Sequence, residues 1–372
     1  MNDTEYMQLV LQLALKGKGK TSPNPLVGAV IVKNKKIIST GYHQQAGGKH
    51  AEIVALDRAG EKAKGSTLYV NLEPCATCGK TSPCTERIIK EKVKKVVISI
   101  VDPNPVNKGK GIKRLKAKKI KVVKGVLRRE GEEINKAFAK FITQRRPYVI
   151  LKIAQSLDGR IATFSGDSKW ITSPTARQYV HRLRSEMDAI LVGVDTIIKD
   201  NPLLSARFSP QRLFKHQPAK IILDSFLRIP LTAKVFSRQS PAEVIIATTQ
   251  SASLPKVKKL EKKGVKVLIL KERKSNSENK QIDLKLLMEE LAKIDVVNLL
   301  IEGGSKVFTS ALEDKVIDKM LFFIAPKIIG GVKALSSVGG EGVNKISQAL
   351  QLSNLKIEKI GEDIMVAAEM GG

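Results

Sequence analysis

His50-Ala51-Glu52, answered by Pro74-Cys75 and, nine positions after that cysteine, by Cys84, is the stretch that decides the fold. A histidine two residues before a glutamate, then a Pro-Cys and a further cysteine, has the spacing of a zinc-dependent deaminase. Neutral imidazole and two thiolates make a three-ligand Zn2+ site whose fourth position stays open to water. Zinc lowers the pKa of such a water from about 15.7 toward about 7, so hydroxide is available at neutral pH. Glu52 suits the catalytic role: it points into the site without ligating, and carries protons from water to the ring nitrogen and on to departing ammonia. Each half of the pattern is common alone; both in this order are specific. Cys78 also follows Cys75 in a C-x-x-C, and the generic signature takes that pair. However, Pro83-Cys84 repeats the local geometry of Pro74-Cys75, and Gly79 permits a tight excursion between them. This favours His50, Cys75 and Cys84 as the metal ligands.

The chain's 372 residues exceed an ordinary single domain and suggest two. Hydrophobic residues make up 42%, enough for well-developed cores. All three cysteines fall within ten positions, which argues for a metal site in a reducing compartment and against a disulfide framework. The start, Met1-Asn2-Asp3-Thr4-Glu5, lacks the basic flank and apolar core of a signal peptide, and no apolar run approaches a membrane span. A cytoplasmic location without a membrane partner is expected. The formal charge of +29 invites a nucleic-acid reading, and fifteen Lys/Arg face three acids between Lys90 and Glu130. Yet aromatics are only 4% of the chain and are not interleaved with the basic run, so no stacking platform is present. The excess reads as a lysine-rich surface that steers phosphorylated ligands, and nucleic acid is not the expected partner.

In chain order, Asp3 or Thr4 caps a first helix with Met7, Val10, Leu11 and Ala14 at helical spacing. Pro23-Asn24-Pro25 turns into an apolar strand from Val27, and a second strand follows at Ile37-Ile38. The flanking prolines restrict Asn24 and leave its amide available to a heterocycle edge, or to a simple Asx turn. His50 opens a helix, Thr67–Leu72 is a strand, Cys84 opens a helix, and Val96–Ile100 is a strand. A lysine-rich loop, a short strand near Ile120–Val123 and a helix from Gly131 to about Phe141 follow. This order predicts an α/β/α deaminase sandwich over residues 1–144. Gln144-Arg145-Arg146-Pro147 marks the boundary, and an α/β domain over 147–372 follows. Its strands are expected at Val149–Ala154, Ala189–Val194, Lys220–Leu223, Val244–Ala247, Val265–Leu268 and Val296–Glu302. Gly303-Gly304-Ser305 between the last of these and a helix is an anion-binding turn, without the G-x-G-x-x-G fingerprint. Trp170, the only tryptophan, lies in a loop, where it serves either core or cofactor.

With both halves in view, the chain resembles the bifunctional riboflavin-biosynthesis deaminase/reductase family from end to end. The resemblance rests on Pro23-Asn24-Pro25 with Val27-Gly28-Ala29-Val30, His50-Ala51-Glu52, and Pro74-Cys75 through Thr85. Further on it rests on Leu157-Asp158-Gly159-Arg160-Ile161-Ala162, Trp170-Ile171-Thr172, Arg182-Leu183-Arg184, Asp200-Asn201-Pro202-Leu203-Leu204 with Arg207, and Glu302-Gly303-Gly304. It implies a cytidine-deaminase-like domain joined to a dihydrofolate-reductase-like α/β domain, and supports Cys84 as third ligand; the family often has histidine where this chain has Cys78. It also implies two steps. Hydroxide displaces ammonia from a 2,5-diamino-6-ribosylamino-pyrimidinone 5′-phosphate, and NADPH then reduces the ribosyl group of the 5-amino-uracil product to ribityl. By the same resemblance Ala154, Trp170, Thr196, Asp200, Ser225, Gly304 and Ser305 meet NADPH, and Ser168, Arg184, Leu204, Arg207 and Glu302 meet the second substrate. Two arginines suit the ribose phosphate. Asn24 is the substrate contact expected in the first half, and a homo-oligomer, dimer or tetramer, is expected. The rival readings are a tRNA-type base deaminase with an accessory nucleotide-binding domain, and a second half that only binds nucleotide.

Overall fold

The computed structural model describes residues 1–77, 82–209, 211–237, 241–273 and 281–371. The chain forms two compact units, Met1–Arg146 and Pro147–Gly372.

In the first unit, α1 (Asp3–Leu15) is followed by β1 (Gly28–Lys33), β2 (Lys36–Tyr42), α2 (Ala51–Ala59), β3 (Thr67–Leu72), α3 (Cys84–Lys90) and β4 (Lys95–Ile100). Next come α4 (Lys110–Ala117), β5 (Lys121–Lys124), α5 (Arg128–Ile134) and α6 (Lys136–Gln144). The sheet order is β2-β1-β3-β4-β5, with β3, β4 and β5 parallel and β1 antiparallel to both its neighbours. Strand residues alternate between two cores. Ala29, Ile31, Leu68, Val70 and Ile98 meet α2, α3 and α4 on one face; Val30, Val32, Tyr69 and Val97 meet α1 on the other. The α/β/α sandwich follows.

Three local expectations change. The cap of α1 is Asn2 rather than Asp3 or Thr4: Asn2 Oδ1 accepts from Glu5 N and Glu5 returns a bond to Asn2 N. The lysine-rich loop contains α4, whose buried Gly111 and Leu115 anchor an otherwise charged helix. The helix from Gly131 is two helices, because Asn135 is turned inward. Its amide accepts from Leu26 N at 2.9 Å and donates to Leu26 O at 3.1 Å. Asn71 likewise accepts from Gly28 N and donates to Leu26 O, both at 2.8 Å. These two asparagines hold the segment that carries Asn24.

In the second unit, the elements are β6 (Tyr148–Ser156), β7 (Arg160–Ala162), α7 (Pro174–Ser185), β8 (Ala189–Gly193), α8 (Val194–Asp200), β9 (Arg207–Ser209), β10 (Arg212–Leu213) and β11 (Ala219–Leu223). They continue with β12 (Val244–Thr249), α9 (Leu254–Glu261), β13 (Lys266–Leu270), α10 (Leu284–Lys293), β14 (Asn298–Gly303) and α11 (Ser305–Glu313). β15 (Lys319–Ala325), β16 (Leu335–Ser336), β17 (Leu352–Ile360) and β18 (Asp363–Met370) complete it. The nine-stranded sheet runs β13-β12-β11-β8-β14-β6-β15-β18-β17, parallel up to β15 and antiparallel through the last two strands. Being covered on both faces, the inner strands are continuous apolar runs. α10 and α11 cover one face, while α7 and α9 pack on the other. No helix among the described residues is long and apolar enough to cross a membrane.

Candidate active sites

The end of β3, the start of α2 and the start of α3 converge in the first unit. His50 is the N-cap of α2, Glu52 lies in its first turn, and Cys84 opens α3. Close packing sets these starts. A Cβ on Gly41 of β2 would lie 2.5 Å from Ala51 O, so only glycine lets the strand approach the helix so closely. His50 Nδ1 stands 3.2 Å from Cys84 Sγ and 3.6 Å from Cys75 Sγ, and the three donor atoms lie within 4.8 Å of one another. Cys78 lies outside the described residues.

The donor set suits zinc: two sulfurs, one imidazole nitrogen and, among the described residues, no fourth protein ligand. Cys84 and His50 hold the Cys75 thiol well below its ordinary value, at about 4. The Cys84 backbone N–H adds a bond to Cys75 Sγ at 3.2 Å. His50 is raised to about 8, chiefly by its bond to Cys75, and Cys84 is pushed up by Cys75 and by burial. These neighbours favour the thiolate form of Cys75. Glu52 is 4% exposed, and burial raises its carboxyl above the usual range, so it holds a proton more readily than a free carboxylate.

A second layer fixes the metal segment. Glu73, 3% exposed, accepts from Asp102 N at 3.1 Å, Gly109 N at 3.0 Å and Ile112 N at 3.0 Å. Asn107 accepts from Ala76 N at 2.8 Å and donates to Asp102 at 2.9 Å. Gly111 is pressed against this segment: a Cβ there would lie 2.0 Å from Pro74 O. Asn24 Nδ2 is 3.1 Å from His43 Nε2, whose Nδ1 faces Lys49 O at 3.1 Å. The carbonyl makes Nδ1 the protonated nitrogen, so Nε2 accepts from Asn24. His43 meets His50 edge-on at 5.6 Å. Asn24 and His43, the latter unremarked in the sequence, therefore stand beside His50.

In the second unit, Glu302 on β14 binds Arg184 on α7 through two bonds, at 2.8 and 2.5 Å, and Arg184 Nη1 donates to Ser205 O at 3.1 Å. Arg184 is thus engaged by protein groups. Arg207 donates to His181 Nε2 at 3.3 Å, while His181 Nδ1 faces Ser205 O at 3.1 Å. Lys152 on β6 lies 5.9 Å from the Phe323 ring; burial lowers its pKa, against the pull of Glu302. Its signal in the sequence is the one charged residue inside the run Val149–Ala154.

Thr196 Oγ1 lies 3.0 Å from where a Gly303 Cβ would stand, so α8 packs directly on the glycine turn. Gly304 caps α11 with φ +93°, and Ser305 begins that helix. Ser168 Oγ meets Asp200 Oδ1 at 3.5 Å. Ser225 O receives Thr249 Oγ1 at 2.9 Å. Ala154 packs beside α7. Trp170 is 61% exposed with Arg177 stacked 4.5 Å over its ring, which removes the core alternative. The Leu204 side chain is in the core and its φ is +52°, an uncommon conformation for leucine, so only its backbone is offered outward.

Fold and sites together define a nucleobase-type zinc deaminase unit carried on one chain with an open parallel-sheet reductase unit. Residues 1–100 match the cytidine and deoxycytidylate deaminase zinc-binding region, and residues 147–366 match the RibD C-terminal domain. The riboflavin biosynthesis protein RibD of Aquifex aeolicus is 46% identical over 98% of this chain and 97% of its own length. That of Escherichia coli is 38% identical over 98% of both. The solved Acinetobacter baumannii RibD is 36% identical with a TM-score of 0.88, covering 100% of this chain and 99% of its own. A Thermotoga maritima structure, described as a diaminohydroxyphosphoribosylaminopyrimidine deaminase/5-amino-6-(5-phosphoribosylamino)uracil reductase, is 35% identical with a TM-score of 0.84 and covers 99% of each. The chain belongs to the RibD family of bifunctional deaminase/reductases of riboflavin biosynthesis. The match runs through both halves, against the reading of the second as an accessory to a nucleic-acid deaminase.

Proposed function

We propose that the first unit deaminates a diaminopyrimidine ribotide and that the second reduces the ribosyl group of the product with NADPH. The observation that carries the reading is the convergence of His50, Cys75 and Cys84 beside the buried carboxyl of Glu52. Zinc, when bound by these three side chains, supplies Lewis-acid activation of water at neutral pH. Glu52 takes a proton from the attacking water and passes it to the ring nitrogen; it then takes the proton of the new C–OH group and gives it to the amine, which departs as ammonia as the carbonyl forms. Asn24, oriented by His43, presents its remaining amide oxygen to a donor edge of the heterocycle.

In the second unit, NADPH supplies the hydride, and the protein's part is placement. Thr196, Ser225, Gly304 and Ser305 edge the dinucleotide crevice at the carboxyl ends of the strands; Ala154, Trp170 and Asp200 flank the reacting end. Arg207 carries the ribose phosphate, because Arg184 is committed to Glu302 and contributes by fixing the Glu302 carboxylate beside Lys152. Ser168 and the Leu204 backbone complete the substrate pocket. Two copies or four would bury β17, a nine-residue edge strand with Leu355 59% and Ile357 69% exposed.

The test follows ammonia release and NADPH absorbance together with the diaminopyrimidine ribotide as substrate. Both signals should appear, ammonia first. Ammonia release from cytidine or tRNA instead, with none from the ribotide, would overturn the substrate assignment.

A further inference from the structure

The segment that carries Arg207 is fixed through its backbone. Gln217 Oε1 accepts from Ala206 N at 3.0 Å, and Gln217 Nε2 donates to Ala206 O at 2.7 Å and to Phe214 O at 2.8 Å. Leu213 of β10 pairs with Arg207 itself. The Arg207 side chain has a different anchor. Its Nε donates to His181 Nε2 at 3.3 Å, and among the described residues its guanidinium meets no other hydrogen-bond acceptor. His181 can accept there only as the tautomer that carries its proton on Nδ1. The Ser205 carbonyl fixes that tautomer, 3.1 Å from Nδ1, and also takes Arg184 Nη1 at 3.1 Å. Burial, and then the cations Arg184 and Arg207, hold the imidazole to about 4, so the ring is neutral near pH 7.

Two guanidiniums therefore flank one neutral ring. Arg184 is paired with Glu302, yet it still opposes the charge on Arg207, whose pKa is lowered by burial and then by Arg184. Without a partner, a long charged side chain beside a like charge carries its head away into water. His181 instead holds the Nε edge of Arg207 and leaves both Nη groups, the fork that grips two oxygens of a phosphate at once. We propose that His181 is a positioning residue for the reduction, aiming the Arg207 guanidinium at the phosphate of the second substrate. This rests on the reading of Arg207 as the ribose-phosphate ligand. In that role the ring takes no part in hydride or proton transfer, so its loss weakens substrate binding and spares the chemical step.

The test measures steady-state reduction by full-length, zinc-loaded protein, with the deaminated ribotide and with its phosphate-free counterpart. His181→Ala should raise KM for the ribotide about tenfold, as for loss of one hydrogen bond to a charged group, while kcat and the KM for NADPH stay at wild-type values. KM for the phosphate-free substrate should not change. His181→Asn keeps a donor for Ser205 O but falls short of Arg207, so it should match His181→Ala without the same loss of packing. His181→Gln, whose amide oxygen can accept from Arg207 Nε, should recover most of the ribotide affinity. Arg207→Ala should raise the ribotide KM further, and the double variant should be no worse than Arg207→Ala alone, because the ring then has nothing left to aim. Full additivity of the two substitutions, an equal effect on the phosphate-free substrate, or an unchanged ribotide KM in His181→Ala and His181→Asn would overturn the proposal. A wild-type ribotide KM in Arg207→Ala would instead sink the phosphate reading beneath it.

Discussion

Arg184 and Glu302, 118 residues apart in the chain, meet as a two-pronged ion pair at 2.8 and 2.5 Å with side chains 16% and 5% exposed. Burial opposes charge on both, yet Glu302 stays below the usual carboxylate range because the Arg184 guanidinium, with Lys152 beyond it, holds the ionised form. Removing one partner strands the other charge. Glu302→Ala should therefore cost the second unit about 3–5 kcal/mol. Denaturant unfolding followed through Trp170 fluorescence checks this; a loss below about 1 kcal/mol, the scale of a surface pair, would contradict it.

Glu52→Gln should keep zinc and fold while ammonia release falls about a hundredfold to ten-thousandfold, the usual share of a general acid–base group. Reduction of separately supplied deaminated intermediate should continue at the wild-type rate. Loss of both activities would contradict separate sites.

Gly111→Ala places a methyl against Pro74 O, which as backbone cannot turn aside. About 1–3 kcal/mol of destabilisation is expected from such overpacking. Because Pro74 immediately precedes Cys75, zinc should also leave faster, as read with a chromophoric chelator. A wild-type release rate would show that the helix does not support the metal segment.

His181 is held to about 4, below its ordinary 6.5, by burial and then by the cations Arg184 and Arg207. Between those values the unfolded chain binds more protons than the folded one, so stability falls as pH drops from 6.5 toward 4 and is flat above. His181→Gln should lose less stability between pH about 7 and about 5 than the wild type does. Equal losses would mean that His181 titrates normally.

The metal site was legible because zinc chemistry restricts residue type and spacing together: His50, Cys75 and Cys84 admit few substitutes. The inner strands were legible as apolar runs. What supports the sites was not. Asn71 and Asn135 look like ordinary polar residues until both are found on the Leu26 backbone. Two arginines in the reductase half read as two phosphate ligands, and no spacing shows that Arg184 also holds a carboxylate 118 residues away. Helix α4 reads as a loop because Ile112 and Leu115 are its only large apolar residues among four cations. β17 gives no strand signal for a related reason: eight of its nine residues are exposed, so it lacks the half-buried alternation that marks a strand.

The central claim is that a metal held by His50, Cys75 and Cys84 serves the first activity and not the second. The direct measurement is metal content together with both activities on one sample, before and after exhaustive chelation. Ammonia release should vanish with the zinc and return when zinc is restored, while NADPH-dependent reduction of supplied intermediate is unchanged throughout. Undiminished ammonia release from zinc-free protein would contradict it.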